Sequence, residues 1–378
     1  MASYDVIVVG LGAMGAATLH HLAARGVRAL GIEQFGIAHG RGSSGGDTRL
    51  IRKAYFEHAD YVPLLERAYT HWGELQQQVG QRLLYEVGTL YLGHPDGEVV
   101  AGSRRSAAEH GLALEEVDEP TLAAEFPQFR CPEGYVALLE PDAGFLLCEQ
   151  AVRAHVEAAL ARGAGLLVGE PVTAWKAQPG GVEVVTRSNR HTAGALVLTA
   201  GSWSGRLLAE LGMSLRVTRQ PLFWVQPENP AAFSLGNSPC WAVQRHDRPG
   251  LFYGFPGLPG RLTAQLGAKL AHHTPGETVN PDQQLRPADD QELAPLLDAL
   301  APFIPGLSGP MTGSRACMYT LSADGHFIVD VHPQHRNVVF GCGFSGHGFK
   351  FAPVIGEALA DLATTASSPL PIEFLRLR

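Results

Sequence analysis

The sequence is short of several things, and each shortage closes off a class of function. Basic charge is in deficit: 29 Lys and Arg stand against 37 Asp and Glu among 378 residues, a formal net charge of −8. A surface of that sign does not seek nucleic acid or an anionic membrane. The five cysteines, Cys131, Cys148, Cys240, Cys317 and Cys342, are odd in number and widely spaced, with no CxxC pair. That pattern argues against a zinc ribbon and against a disulfide framework. The histidines do not cluster with carboxylates at ligand spacing, so no metal is expected. The apolar stretch from Val6 to Ile32 is interrupted by glycines, His20, His21, Arg25 and Arg28, too often for a membrane span. No basic segment precedes it, so no signal peptide is read. Repeats and low-complexity tracts are absent. The expectation is a soluble cytoplasmic protein with a small-molecule partner, compatible with a monomer and long enough for two domains.

The first thirty-three residues are informative. Tyr4-Asp5-Val6-Ile7-Val8-Val9 is a β-branched run that reads as a strand buried on both faces. It leads into Gly10-Leu11-Gly12-Ala13-Met14-Gly15, then an alanine-rich helix over 13–26, then a second strand from Arg28 that ends on Glu33. Gly10 permits the tight turn, Gly12 lets a pyrophosphate approach the backbone, and Gly15 lets helix and strand pack closely. The helix N-terminus offers free N–H groups to phosphate. Glu33 stands where a carboxylate accepts hydrogen bonds from ribose hydroxyls. The motif specifies a dinucleotide without distinguishing NAD from FAD.

Beyond it the chain alternates between strand-like and helix-like segments, which makes the protein α/β. Helices are predicted over 60–79, 148–162, 204–211, 289–300 and 351–363, and strands over 83–92, 166–168, 195–201, 327–329 and 338–340. Residues 216–275 read as long antiparallel strands. The expected division is a discontinuous nucleotide-binding Rossmann domain from 1–80, 148–215 and 311–378. A second, α+β substrate domain on a mostly antiparallel sheet would come from 81–147 and 216–310.

Four clusters can carry chemistry. In Gly42-Ser43-Ser44-Gly45-Gly46-Asp47-Thr48-Arg49-Leu50-Ile51-Arg52 the two arginines share a face if the second half is helical, and such a pair suits a carboxylate or phosphate. After Tyr253-Gly254-Phe255-Pro256, Lys269, Ala271 and His273 alternate along a strand and point to one side. Cys317, in Arg315-Ala316-Cys317-Met318-Tyr319-Thr320, reads by itself as a core residue. Finally, Gly341-Cys342-Gly343-Phe344-Ser345-Gly346-His347-Gly348-Phe349-Lys350-Phe351 is a glycine-rich loop before the last helix, suited to an anion or a ring.

Taken together and in this order, these segments resemble the monomeric sarcosine oxidase family, which includes N-methyltryptophan and pipecolate oxidases. The resemblance spans nearly the whole chain. It implies a glutathione-reductase-like FAD-binding fold and oxidation of a secondary amino acid, with oxygen reduced to hydrogen peroxide. It implies a flavin held by a thioether from Cys317. By the same resemblance Arg52 and Lys350 would hold the substrate carboxylate, and Lys269 would serve the oxygen reaction. His273 and Tyr253 would border the amine, and Arg49 would lie beside the flavin. The cofactor set would comprise Gly10, Gly12, Met14, Gly15, Glu33, Ser43, Thr48, Arg49, Val172, Cys317, Met318, Gly346, His347, Gly348 and Lys350. The sequence departs from the family at Ser44-Gly45, where a His-His pair is common. It also departs in a longer connection before Lys269, where a shifted register would bring Gln265 to the flavin, and at Phe56–Asp60 and Ala242, expected to border the substrate side chain.

Overall fold

A computed structural model describes residues 4–263 and 265–378. The run read as the first strand forms Tyr4–Val9 at the centre of a parallel sheet. Its neighbours are Ala29–Glu33 on one side and Arg190–Leu198 on the other, with Val8 opposite both Gly31 and Val197. Gly165–Val168 and His335–Cys342 extend the parallel sheet outward, and Ile328–His332 closes one edge antiparallel. A hairpin, Val172–Gln178 and Gly181–Thr186, pairs with the first half of Arg190–Leu198.

Burial on both faces follows from the alternation. Val6 and Val8 pack under helices Ala13–Ala24, Val62–Val79, Cys148–Leu160 and Ala352–Thr365. Ile7 and Val9 face the hairpin side with Leu208 and Trp175. Each such side chain contributes about 1.5–3 kcal/mol on burial. The first helix lies unusually close to the sheet. A Cβ on Gly15 would stand 1.9 Å from the Gly10 carbonyl oxygen, so no other residue fits there.

The second sheet has eight strands in the order Met311–Leu321, Arg216–Val225, Ala268–His273, Leu251–Phe255, Cys240–Val243, Thr89–Gly93, Val136–Glu140 and Glu115–Val117. All neighbours are antiparallel except Cys240–Val243 beside Thr89–Gly93. Met311–Leu321 was expected in the nucleotide-binding unit. It pairs along its length with Arg216–Val225, placing Cys317 opposite Gln220 in this sheet.

Two elements were not anticipated. A small sheet of Thr48–Ile51, Gly144–Leu147 and Leu84–Glu86 bridges the two large ones. Helix Glu98–His110, closed by left-handed Gly111, packs against the segment after Arg52. The expected helix over 204–211 is a single turn, Ser204–Leu207, between two 3-10 turns.

Candidate active site

The helical reading of the segment around Arg49 and Arg52 is wrong. Thr48–Ile51 is a strand, pinned antiparallel to Gly144–Leu147, and Arg52 follows its end. The two guanidiniums reach one cavity nonetheless, because the chain turns at Arg52 before the entry segment Ala54–Asp60.

Two cavities adjoin here. The larger, about 1100 Å³, runs from the glycine turn of the first strand to the second sheet. Gly10, Gly12, Met14 and Glu33 line it at one end, with Ser43 and Val172. Arg49, Met318, Gly346 and Gly348 line it toward the other. Its volume exceeds the roughly 300–1,000 Å³ of drug-sized small-molecule sites, which suits a group the size of a dinucleotide. Gly15 lies beneath, as packing. At the helix start the Ala13 N–H donates to Ser44 Oγ at 3.1 Å, so Ser44 works where the family pattern has histidine. Glu33 accepts from the Leu11 N–H at 2.8 Å and the Phe35 N–H at 3.0 Å. Burial alone would raise its carboxyl, but His39 and these amides hold it below the usual carboxylate range.

The smaller cavity, about 60 Å³, is where the basic and aromatic candidates meet: Arg49, Arg52, Tyr253, His273, His347 and Lys350 all line it. Arg52 is 3 % exposed. Its guanidinium lies between the rings of Tyr55 and Phe56, at 4.4 and 4.2 Å. Both oxygens of Glu57 accept from its Nη2 at 2.6 Å. Burial would raise the Glu57 carboxyl, yet Arg52 drives it down to about 2. The Lys350 ammonium donates to the His347 carbonyl at 2.8 Å. Burial, reinforced by Arg52, pushes it down to about 7. The turn bearing Lys350 is fixed from behind by the Trp72 N–H, which donates to the Lys350 carbonyl at 2.9 Å.

His273 Nδ1 is 3.1 Å from the Tyr319 hydroxyl. Burial pushes the imidazole down to about 4, so it is neutral at ordinary pH. His347 is fully engaged: Nδ1 meets the Tyr55 hydroxyl, and Nε2 donates to the Gly325 carbonyl at 3.0 Å. Its backbone is engaged as well, the N–H donating to the Phe344 carbonyl at 3.0 Å and the carbonyl accepting from Lys350, which leaves the flanking glycines to face a ring. A Cβ on Gly346 would come within 2.4 Å of the Tyr319 ring, and its φ is +82°, so glycine is required twice over.

Lys269 and Thr48 line neither cavity. The Lys269 ammonium, 2 % exposed, donates to the Gly46 and Thr48 carbonyls at 2.6 and 2.7 Å and to Thr48 Oγ1 at 3.1 Å. It lies 4.6 Å from the Phe255 ring centre. Burial and the neighbouring Arg49 push it down to about 7. Lys269 stands opposite Trp224 on one neighbouring strand and Phe255 on the other, while Gln265 lies against Gly313. Cys317 does not line the large cavity, although Ala316 and Met318 do. Its sulfur is buried 3.9 Å from an Arg49 Nη2.

Ala242 was expected to border a substrate side chain and does not. It is buried with Tyr91, Leu138 and Leu251, and Leu251 takes the lining position instead. Phe56, expected at the entrance, does line the small cavity. Sequence reasoning missed the carboxylates. Glu57 lies in the Phe56–Asp60 segment expected at the substrate, but nothing in the sequence pairs its carboxylate with Arg52. Glu149 accepts from the Gly46 N–H at 2.7 Å and from Arg315 at 2.9 Å, tying the strand of Cys317 to the loop that serves Lys269.

A family model described as FAD dependent oxidoreductase matches residues 5–362. A monomeric sarcosine oxidase of Streptomyces avermitilis is 41% identical over 373 residues, covering 98% of this chain and 96% of that one. An N-methyl-L-tryptophan oxidase of Yersinia pestis is 34% identical over 99% of this chain and 98% of its own. Among solved structures, NikD, an amino acid oxidase of nikkomycin biosynthesis, superposes with a TM-score of 0.87 at 26% identity, covering 100% and 98% of the two chains.

Proposed function

Because the chain belongs to the FAD-dependent oxidoreductase family, we propose that it oxidises a small N-methyl amino acid, sarcosine first, in the cavity of Arg52, Lys350 and His273. The carrying observation is that cavity: two buried cations at one wall, a neutral imidazole at another, and about 60 Å³ between them. Sarcosine is the smallest of the candidate substrates. An indole side chain, or the ring of pipecolate or proline, would put more bulk against Phe56 and Leu251, which line the cavity.

Arg52 and Lys350 hold the carboxylate, which fixes one end of the substrate and turns orientation into rate. His273, neutral above about pH 4, borders the amine without repelling the uncharged form that carries the reactive lone pair. Tyr253 walls the same space. FAD, when bound, supplies a two-electron acceptor that oxygen returns to its oxidised state as hydrogen peroxide. Glycine and formaldehyde follow by hydrolysis of the imine. Gly10, Gly12, Met14, Glu33, Ser43 and Val172 would hold the nucleotide half. Arg49, Met318, Gly346, His347 and Gly348 would surround the ring, and Lys269, held by Thr48, would offer its charge to reduced oxygen. Cys317, beside Arg49, is the residue for covalent attachment.

Acid precipitation of purified protein tests the cofactor arrangement. The yellow colour stays with the pellet and the intact mass exceeds the bare polypeptide, while Cys317→Ser releases the colour. A mass equal to the polypeptide, from cells well supplied with riboflavin, defeats the covalent assignment. Peroxide release across N-methyl and cyclic amino acids tests the substrate, with sarcosine expected to be turned over most efficiently.

A further inference from the structure

Behind the carboxylate grip lies a second buried carboxylate with no part in the chemistry above. Glu140 ends the strand Val136–Glu140 and is 1 % exposed. Its Oε1 accepts from the backbone N–H groups of Lys53 at 2.5 Å and Ala54 at 3.0 Å. Its Oε2 accepts from the Tyr91 hydroxyl at 2.7 Å. Burial pushes this carboxyl up from its usual value, and the Tyr91 hydroxyl, the two amides and the nearby Arg52 oppose that, three donors being the surrounding that favours the ionised form. The two amides belong to the residues that follow Arg52. Ala54 returns its carbonyl to Arg52 Nη1 at 3.3 Å and to Ser103 Oγ at 3.2 Å. The turn that aims Arg52 is therefore fastened from the strand side by Glu140 and from the helix side by Ser103.

The charges make the arrangement more specific. Arg52 and Lys350 are two buried cations, and Glu57 and Glu140 are the two carboxylates near them. Glu57 is the displaceable one. It is half-buried, lies on the entry segment, and bonds to the guanidinium group a substrate carboxylate needs. Glu140 is bound to backbone and to Tyr91 and stays when Glu57 leaves. Lys350 is pushed down by burial and by Arg52, and Glu57 and Glu140 both oppose that. Lys350 is also faced by His273 from strand Ala268–His273 and His347 from its own loop. Glu140 is faced by Tyr69 from helix Val62–Val79 as well as by Tyr91.

We propose that Glu140 is a positioning residue for carboxylate recognition: through Lys53 and Ala54 it fixes the turn that aims Arg52, and its charge offsets the paired cations Arg52 and Lys350. This rests on the reading of the small cavity as the amino-acid site. A carboxylate-binding pocket with only cations would lose the Lys350 proton before the ligand arrived. One with only the mobile Glu57 would lose its compensation when the ligand took that place.

The test uses flavin-loaded protein titrated with methoxyacetate, in which oxygen replaces the amine of sarcosine, read by the flavin absorbance between about pH 6 and 9. In the wild type, affinity is highest at the acid end and falls as pH rises and Lys350 loses its proton. Glu140→Gln removes one of the two carboxylate charges that support the Lys350 proton. The fall then begins at lower pH, leaving methoxyacetate roughly two- to fivefold weaker at the alkaline end. KM for sarcosine rises by the same factor while kcat stays within about threefold. A Gln variant that melts at lower temperature but keeps the wild-type pH profile of affinity overturns the proposal, since that is mere structural support. Glu140→Asp keeps the charge and draws it back from the amides. Its midpoint stays and its affinity is weaker at every pH, and if the Gln protein does not fold this variant decides alone, wild-type affinity in it being the overturning result. A wild-type protein indifferent to methoxyacetate defeats the amino-acid site itself, and Glu140's role with it. A responsive wild type with unresponsive Glu140 variants defeats only the role of Glu140.

Discussion

Lys269 and Lys350 are both buried, both donate to backbone carbonyls, and both are pushed down to about 7 by burial with an arginine alongside. Their surroundings differ in one respect. Around Lys350 the positive charge is answered: Glu57 is clasped by Arg52, and Glu140 stands behind. Around Lys269 the hydrogen-bonding partners are neutral, namely two carbonyls and a hydroxyl, with the Phe255 and Trp224 rings beyond. Asp47, the nearby acid, supports the Lys269 charge without bonding to it, its carboxylate being held by Thr263. A pair of cations with a carboxylate clasped against it is suited to a stable anion that exchanges with that carboxylate. A lysine with no carboxylate in contact is suited to an anion that exists only while electrons move, where preorganised charge acts most strongly. On the proposed reading, the carboxylate belongs to one side and oxygen to the other.

The sharpest way to break that assignment is Lys269→Met. Removing one preorganised charge from a water-poor site costs about 10²–10³-fold in rate. The loss is expected in reoxidation by oxygen, followed by stopped flow, with anaerobic reduction by sarcosine nearly unchanged. The charged form of Lys269 predominates below about pH 7 and is lost above it. The wild-type reoxidation rate therefore carries a limb that declines as pH rises, and the Met variant lacks it. Equal losses in both half-reactions would mean that the two basic regions are not divided as argued.

Next in size is Arg52→Met. A hydrogen bond to a charged group is worth about 1.5–3 kcal/mol, so kcat/KM for sarcosine falls by roughly 10–150-fold, mostly through KM. Lys350 remains to hold part of the carboxylate, which keeps this effect below the first. An amine substrate without a carboxylate is expected to lose little. Its losing as much would move Arg52 from recognition to scaffold.

How legible these regions were in the sequence follows from how local each one is. The nucleotide-binding βαβ unit was readable because strand, glycines, helix and Glu33 lie within thirty residues and each obeys a local rule. The strand that carries Lys269, Ala271 and His273 was readable because their period-two spacing is that of a strand. The partition of strands was less so. Met311–Leu321 joins the second sheet through pairing with a strand nearly a hundred residues earlier, which no local pattern encodes. Arg49 and Arg52 were recognised as a pair but for a wrong reason: a three-residue spacing suggests a helical face, whereas here a strand ends and turns between them. The carboxylates were invisible. Glu140 looks like the end of an ordinary strand until its oxygens are found on the amides after Arg52. Helix Glu98–His110 has a weakly apolar face, with Gly102 and Ser103 at the contact, so the usual stripe of large residues is missing.

The smallest expected effect tests the exchange of anions directly. Glu57 competes with a substrate carboxylate for Arg52, so neutralising it should help binding, whereas a purely structural ion pair should only be weakened. Glu57→Gln keeps the size of the side chain and can still accept from Nη2, but gives up the charge. Part of this site is open to solvent, so screening limits the gain to about 0.5–1 kcal/mol, a two- to fivefold lower KM for sarcosine. The charge of Glu57 also supports the Lys350 proton, which works the other way as pH rises. The gain is therefore expected below about pH 7 and shrinks or reverses above it. A lower KM at acid pH that vanishes at alkaline pH identifies Glu57 as the internal occupant of the carboxylate site. A higher KM at every pH would make Glu57 a fixed brace for Arg52, leaving both carboxylates of this region structural and the contrast with Lys269 without its functional meaning.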